Sequence, residues 1–199
     1  VAQELRKSVL NGSFHNCGRR CPHLIEGSKP VIEIAEIEDV EIRNAMTKQQ
    51  ARLPYPPRAL NLCFDLSCNL ACPSCRSQIL QARGDELKQT RALSQIVQER
   101  LIPGARSLTL SGYGDPFGSV TYFSLLKKLN IRDFPELKKV RLHSNGQLLT
   151  PQMWKSLPEL QPLVSEIEIS VDAATEETYR FNRPGGDFQR LLDNLGFLS

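Results

Sequence analysis

From residue 60 onward, short apolar runs alternate with longer stretches in which apolar positions recur at helical spacing. The apolar runs predict four strands, at residues 60–66, 106–111, 139–143 and 166–171. Helical spacing predicts helices at residues 86–101, 122–130, 151–157 and 188–197. Strands that alternate with helices indicate a parallel sheet with right-handed crossovers, and ligands of such sheets gather at the carboxyl ends of the strands.

The first 58 residues lack this alternation. Residues 1–27 begin with a helical pattern and continue into a segment that contains cysteines, whereas residues 28–58 are predicted to be a linker. Within the linker, Ile and Val alternate with Glu over residues 32–43, a pattern that could make a strand. Three prolines among residues 54–57 then break regular structure. The sequence therefore predicts a domain boundary there and a main domain over residues 59–199.

Composition sets broad limits on the function. With 199 residues, 40% of them hydrophobic, the chain can bury one substantial core. No apolar run approaches the roughly 20 residues of a membrane helix, and the first residues contain no signal-peptide core, so we expect a cytoplasmic protein without membrane attachment. The 25 basic and 22 acidic residues are nearly balanced and scattered, so no nucleic-acid partner is expected.

Three of the six cysteines form one short motif, Cys68-Asn-Leu-Ala-Cys72-Pro-Ser-Cys75, directly after the first predicted strand. Six cysteines without secretory features favour metal or redox use over disulfides. A structural zinc would need a fourth ligand nearby, and residues 76–142 contain neither Cys nor His. A three-cysteine iron-sulfur cluster fits better, because it leaves one iron without a protein ligand.

The spacing of Cys68, Cys72 and Cys75 resembles the signature of the radical S-adenosylmethionine (radical SAM) enzymes. The resemblance implies that these thiolates hold a 4Fe-4S cluster whose fourth iron binds the amino and carboxylate groups of SAM. It also implies reductive cleavage of SAM to a 5′-deoxyadenosyl radical. Ser74 departs from the family pattern, which commonly has an aromatic residue before the last cysteine. Cys63, inside the first predicted strand, is expected to be a core residue instead.

The second and third predicted strands end in motifs that match the same family. After the second strand, Gly112 and Gly114 allow close backbone approach, and the resemblance implies that Asp115 accepts the SAM amino group. After the third strand, Asn145 stands in a Ser-Asn-Gly sequence that the family places near the nucleoside. Taken alone, the glycine motif could be an ordinary turn, and the Asn-Gly pair could be a tight turn.

The fourth predicted strand resembles the family's Ser-x-Asp segment. The resemblance implies that Ser170 and Asp172 bind the ribose hydroxyls and that Arg183 is a candidate for the SAM carboxylate. Asp172 could instead cap the helix that follows. These motifs follow successive strands in the same order as in the radical SAM family, so we do not attribute the resemblance to chance.

The N-terminal segment resembles part of a SPASM domain, the cysteine-rich extension of many radical SAM enzymes. Gly12 and Cys17 have the matching spacing, and the resemblance implies an auxiliary Fe-S cluster that uses Cys17 and Cys21. The alternative is a cysteine-bearing loop in which His15 and His23 are surface residues or weak zinc ligands.

The expected fold is α/β, a partial parallel (β/α) barrel of radical SAM type with about four of six strands and a small N-terminal cysteine-containing segment. The missing strands imply a fragment that does not turn over substrate alone. The expected substrate is a peptide or protein, by analogy with SPASM enzymes, and the expected electron donor is a ferredoxin or flavodoxin. The competing interpretation is a non-catalytic iron-sulfur or zinc module for electron transfer or protein assembly.

Overall fold

The computed structural model describes residues 2–18, 32–110 and 113–198. The chain divides into two compact units, Val1–Tyr55 and Pro56–Ser199. The division falls within the proline-rich stretch at residues 54–57. No helix in these described ranges is both long enough and apolar enough to cross a membrane.

All the regular secondary structure in the described part of the first unit is helical. It contains α1 (Ala2–Leu10), a 3-10 helix (Ile34–Glu36) and α2 (Val40–Thr47). The carboxylate of Asp39 caps α2 by accepting hydrogen bonds from the backbone N–H groups of its second and third residues. The possibility of a strand over residues 32–43 is therefore wrong, because a capped helix begins inside the stretch whose alternation suggested a strand.

The second unit alternates strands with helices. In chain order it contains β1 (Ala59–Leu62), α3 (Gly84–Ile96), β2 (Ser107–Leu110), α4 (Val120–Leu126), β3 (Lys139–Ser144), α5 (Pro151–Lys155), β4 (Val164–Ile169), α6 (Glu176–Asn182) and α7 (Phe188–Leu198). A π-helical turn (Val97–Leu101) and a 3-10 turn (Ile102–Gly104) follow α3, and a second 3-10 turn (Gln161–Leu163) precedes β4.

The four strands form one sheet in the order β1-β2-β3-β4, and all three neighbouring pairs are parallel. The sheet is open over the part of the chain that the structure describes. The predicted α/β class with four parallel strands is confirmed. Because all strands are parallel, their carboxyl ends lie along one edge of the sheet.

One face of the sheet carries the core. Leu108, Leu110, Val140 and Leu142 are buried there together with apolar side chains of α4, in a cluster that also includes Leu62, Phe117, Tyr122, Leu125, Leu126, Leu129 and Leu149. Because successive side chains of a strand point to opposite faces, the other face carries polar residues. Asn61, Thr109, Arg141 and Glu166 occupy neighbouring register positions across all four strands.

The first strand is shorter than predicted, ending at Leu62 rather than residue 66. The backbone N–H groups of Phe64 and Asp65 donate to the Tyr122 hydroxyl, at 2.8 and 3.0 Å, and not to a neighbouring strand. Cys63 follows the strand and is exposed, so the expectation that it packs in the core is wrong. It alternates with the buried Leu62 and therefore falls on the polar side.

The helices keep their predicted order but shift at their ends. The second predicted helix begins earlier, at Val120, because the Ser119 hydroxyl accepts the backbone N–H of Tyr122 and caps α4. The first ends earlier as an α-helix and continues as the π-helical turn. The third begins at Pro151 as predicted, and the Thr150 hydroxyl caps α5 by accepting the backbone N–H of Met153.

Substituting Tyr122 by Phe tests how the chain between β1 and the cysteines is held. The Tyr122 side chain is buried, and burial raises its pKa to about 12. Tyr122→Phe keeps the ring but leaves two backbone N–H groups without their acceptor. We expect the free energy of unfolding to fall by about 1–3 kcal/mol, measured by urea denaturation. Tyr113→Phe, at an exposed position, is the control, and equal stability of the two variants would contradict this role of the hydroxyl.

Candidate functional site

The cysteine loop, residues 68–75, is fixed by backbone hydrogen bonds at both ends. The N–H of Cys68 donates to the carbonyl of Leu80 at 2.8 Å, and the N–H of Ala71 donates to the carbonyl of Pro184 at 3.1 Å. The N–H groups of Cys75 and Arg76 both donate to the carbonyl of Cys72. The loop therefore has a defined conformation that does not depend on its thiols.

All three cysteines of this loop line one cavity of about 190 Å³ at the carboxyl edge of the sheet. Of the residues predicted to contact a cofactor, the same cavity is lined by Gly114, Asp115, Asn145, Ser170 and Arg183. The structure thus brings together residues that follow β1, β2, β3 and β4 and that are up to 115 positions apart in sequence. Gly112 lies outside the described residues.

The three thiols have different environments. Cys68 and Cys72 are buried, whereas Cys75 is exposed, and none of the three is in a disulfide. Burial raises the pKa of the Cys68 thiol, because the thiolate is poorly solvated there. In the described ranges, no group of three or more His, Cys, Asp or Glu side chains is arranged to hold a single metal ion. An iron-sulfur cluster does not require the three thiolates to meet at one metal ion, since each thiolate binds a different iron.

Each of the three sulfur atoms accepts a hydrogen bond from a nitrogen-bearing side chain. Asn145 Nδ2 lies 3.6 Å from the sulfur of Cys68, and Arg183 Nη1 lies 3.5 Å from that of Cys72. Arg76 Nη2 lies 3.3 Å from the sulfur of Cys75. Amide and guanidinium donors therefore face all three thiols of the motif.

Arg183 is the more buried of the two arginine donors, with 9% of its surface exposed. Its Nη2 lies 2.5 Å from Asp172 Oδ2, and its buried Nε has no hydrogen-bond partner among the residues that the structure describes. Asp172 has a left-handed backbone, with φ of +57°. It does not cap the next helix, because the Thr175 hydroxyl occupies that position. The capping alternative for Asp172 is therefore wrong.

The carboxylate of Asp115 is buried and accepts four hydrogen bonds. Its Oδ1 accepts the backbone N–H groups of Phe117 and Gly118, at 2.9 and 3.1 Å. Its Oδ2 accepts the Ser144 hydroxyl and the Asn145 N–H, both at 2.8 Å. Two carboxylate oxygens offer about four acceptor positions. Contact with a SAM amino group stays a prediction for Asp115, and these protein donors compete with it.

Gly114 lets the turn after β2 approach the segment that precedes the cysteine loop. Its φ is +118°, and a Cβ atom built on it would lie 2.4 Å from the Asp65 carbonyl oxygen and 2.9 Å from that of Ser67. Only glycine fits this conformation and this space. The backbone that approaches Gly114 is therefore the protein's own, and contact of this glycine with a cofactor stays a prediction.

Two cavity residues were not singled out from the sequence. His143 Nε2 lies 2.8 Å from the Ser170 hydroxyl, so the ends of β3 and β4 are joined beside the cavity. Arg76 was also missed. The sequence signal for Arg76 was its position directly after Cys75, and the signal for His143 was its position directly before Ser-Asn-Gly.

The N-terminal cysteine segment is described only in part. Cys17 is a partly exposed thiol outside any disulfide, whereas Cys21 and His23 lie outside the described residues. The His15 ring lies within hydrogen-bond distance of the Ser13 hydroxyl, at 3.0 Å. The auxiliary cluster predicted at Cys17 and Cys21 stays a prediction.

The fold and this cavity define an α/β protein with a thiol-lined site at the carboxyl edge of a parallel sheet. A sequence profile of the Radical SAM superfamily matches residues 66–198, which is more than half of the chain. The chain belongs to the radical SAM superfamily. The matched region includes the cysteine loop and all of the strand-end residues described above.

Two individual proteins are similar to the chain. A probable GTP 3′,8-cyclase from Archaeoglobus fulgidus is 27% identical over 139 residues, which cover 68% of this chain and 43% of the relative. The crystal structure of Streptococcus suis SuiB bound to precursor peptide SuiA has a TM-score of 0.47 and 17% identity, covering 98% of this chain and 43% of that one. The chain thus spans less than half the length of either protein.

Replacing Asp115 by Asn tests whether its carboxylate holds the site together. An amide cannot accept hydrogen bonds with its NH₂ group, so Asp115→Asn leaves at least one buried backbone N–H facing a donor. We expect a loss of about 1–3 kcal/mol in the free energy of unfolding, measured by urea denaturation. Asp193→Asn, on an exposed side chain of α7, is the matched control. A loss no larger than that of the control would refute the structural role.

Proposed function

We propose that this chain is the cofactor-binding part of a radical SAM enzyme that holds a 4Fe-4S cluster on Cys68, Cys72 and Cys75. The observation that carries the proposal is the shared cavity, where the three thiols meet residues from the ends of β2, β3 and β4. Membership of the superfamily supports it. When bound, the cluster and SAM supply a 5′-deoxyadenosyl radical that abstracts a hydrogen atom from the substrate.

The residues present fit such a cluster. The ligand set is three cysteines outside any disulfide on one short loop, with side-chain donors at each sulfur. The buried and unpartnered Nε of Arg183 further indicates that the protein leaves a polar position unsatisfied beside the cavity. In this proposal the loop presents its thiols to three irons and leaves the fourth for SAM.

The strand ends are proposed to bind SAM. In this proposal Asn145 contacts the nucleoside, Ser170 and Asp172 bind the ribose hydroxyls, and Arg183 binds the carboxylate. Asn145, Ser170 and Arg183 line the cavity, whereas Asp172 does not line it and is linked to it by its ion pair with Arg183. Asp115 is proposed to act mainly as a positioning residue, because its carboxylate orients the backbone of Asn145.

The two glycines after β2 are assigned different parts. Gly114 packs its turn against the backbone of Asp65 and Ser67, and this contact sets the wall of the cavity. Gly112 remains a candidate for close approach of SAM to the backbone, as its motif predicts.

The polar face of the sheet is proposed to receive the substrate. Arg141 and Glu166 form an ion pair of 2.7 Å on this face. His143 follows Arg141 by two residues, so it lies on the same face, and it lines the cavity. A row of charged and polar side chains next to the cofactor cavity fits a polar substrate rather than an apolar one.

A peptide or protein is the substrate class that we propose, on the SPASM-like resemblance of residues 1–27. The name of the A. fulgidus relative includes GTP, so a nucleotide is the second substrate class that we consider. Comparing the rate of 5′-deoxyadenosine formation with and without GTP separates them, since stimulation by GTP would favour the nucleotide.

A ferredoxin or flavodoxin in the cytoplasm is the proposed electron donor, and an auxiliary cluster at Cys17 and Cys21 belongs to the same proposal.

Cysteine variants test the proposed cluster. We expect anaerobically reconstituted wild type to bind about four irons at this site and to convert SAM to 5′-deoxyadenosine under reduction. Cys68→Ala, Cys72→Ala and Cys75→Ala each remove one of three ligands, so the iron and the brown chromophore of this site should be lost. Cys63→Ala, on an exposed thiol five residues from the motif, should retain both. A Cys72→Ala protein that keeps four irons at this site would overturn the assignment, and a stable cluster without SAM cleavage would favour the non-catalytic alternative.

A further inference from the structure

We propose that Arg183, assisted by Arg76 and Asn145, sets the reduction potential of the cluster by donating hydrogen bonds to its cysteine sulfurs. This inference rests on the proposed function, because it presupposes the cluster on Cys68, Cys72 and Cys75. It goes beyond that function by assigning three side chains a part in electron uptake.

The geometry gives each thiol its own donor. The three nitrogen-to-sulfur distances, 3.3 Å from Arg76, 3.5 Å from Arg183 and 3.6 Å from Asn145, lie within hydrogen-bond range for sulfur. The donors come from separate parts of the chain. Arg76 follows the cysteine loop, Asn145 follows β3, and Arg183 follows α6.

The position of each donor is itself fixed. Arg76 Nη1 donates to the carbonyl of Leu66 at 2.6 Å, and Asn145 Nδ2 also contacts Asn69 Oδ1 at 3.0 Å. Arg183 is anchored by its ion pair with Asp172. Because these contacts hold the side chains beside the sulfurs, the donors do not have to be ordered when the cluster is reduced.

The expected effect on the potential follows from charge. Reduction adds one electron from an external reductant to the cluster, so the reduced form carries one more negative charge on the irons and sulfurs. Hydrogen bonds to the sulfurs and nearby positive charges stabilise that form and raise the potential. Arg183 should have the larger effect, because it is buried, whereas solvent and salt screen the partly exposed Arg76.

Asp172 gives the inference a test with the opposite sign. Its carboxylate pairs with Arg183 and offsets part of the guanidinium charge. Asp172→Asn removes that negative charge while keeping a residue type that tolerates φ of +57°. The potential should therefore rise in Asp172→Asn and fall in Arg183→Gln. Structural damage alone would not predict opposite shifts.

The experiment is a potentiometric titration of the reconstituted full chain in the absence of SAM, followed by the EPR signal of the reduced cluster. At a fixed potential, Arg183→Gln should lower the ratio of reduced to oxidised cluster about tenfold, which corresponds to about 59 mV for one electron. Arg183→Lys should restore part of the shift, and Arg76→Gln should give a smaller decrease. Arg180→Gln, which removes an exposed charge paired with Glu176 on α6, is the control and should leave the potential unchanged.

The outcomes separate this inference from the proposed function. An unchanged potential in Arg183→Gln with a complete cluster overturns the inference and leaves the proposed function standing. A shift of the potential in the same direction in Arg183→Gln and Asp172→Asn has the same consequence. If Arg183→Gln fails to load iron, Arg183→Lys and Arg76→Gln decide in its place, and the absence of a downward shift in both overturns the inference. A wild-type chain that binds no cluster overturns both proposals.

Discussion

One buried carboxylate joins the strand ends on which the candidate site is built. Asp115 stands in the turn after β2, and its Oδ1 shapes that turn through two backbone N–H groups. Its Oδ2 reaches the carboxyl end of β3, where it fixes Ser144 and Asn145. The backbone N–H of Asp115 also donates to the carbonyl of Ser67, next to the first cysteine. Because nearly all of these groups are buried, they would be costly to leave unpaired. The arrangement is therefore a fixed framework and not a set of independent loops.

The cysteine loop depends on this framework for its position relative to the sheet. Asp65 continues the network, since its Oδ2 accepts the Ser119 hydroxyl at 2.6 Å while Ser119 also caps α4. The chain that leaves β1 is thus attached to α4 before it reaches Cys68. On the other side, the carbonyl of Pro184 accepts the N–H of Ala71 and brings the segment of Arg183 against the loop. Radical chemistry needs a cofactor held in one orientation, and a framework with few unsatisfied polar groups provides that.

The sequence was most informative where spacing is local. The cysteine motif, the order of strands and helices, and the residues at the strand ends could all be predicted, because each depends on neighbouring positions or on family resemblance. Contacts between residues far apart in the sequence could not be predicted. The early end of β1 follows from the Tyr122 hydroxyl, which lies 57 positions beyond Asp65. Cys63 is exposed because it alternates with the buried Leu62, and the sequence alone does not show which of the two faces the core. Residues 32–43 alternate like a strand, yet Asp39 caps a helix there. The contact between Arg183 and Cys72, 111 positions apart, had no signal in the sequence.

The central claim is that the thiol-lined cavity holds a cluster with one iron open to SAM. The most direct measurement is the EPR spectrum of the reduced, anaerobically reconstituted chain, recorded before and after SAM is added. Binding of SAM to the open iron changes the ligands of the cluster, so we predict a clear change in the shape and g-values of the signal. A protein that holds four irons and gives the same spectrum with and without saturating SAM would contradict the account.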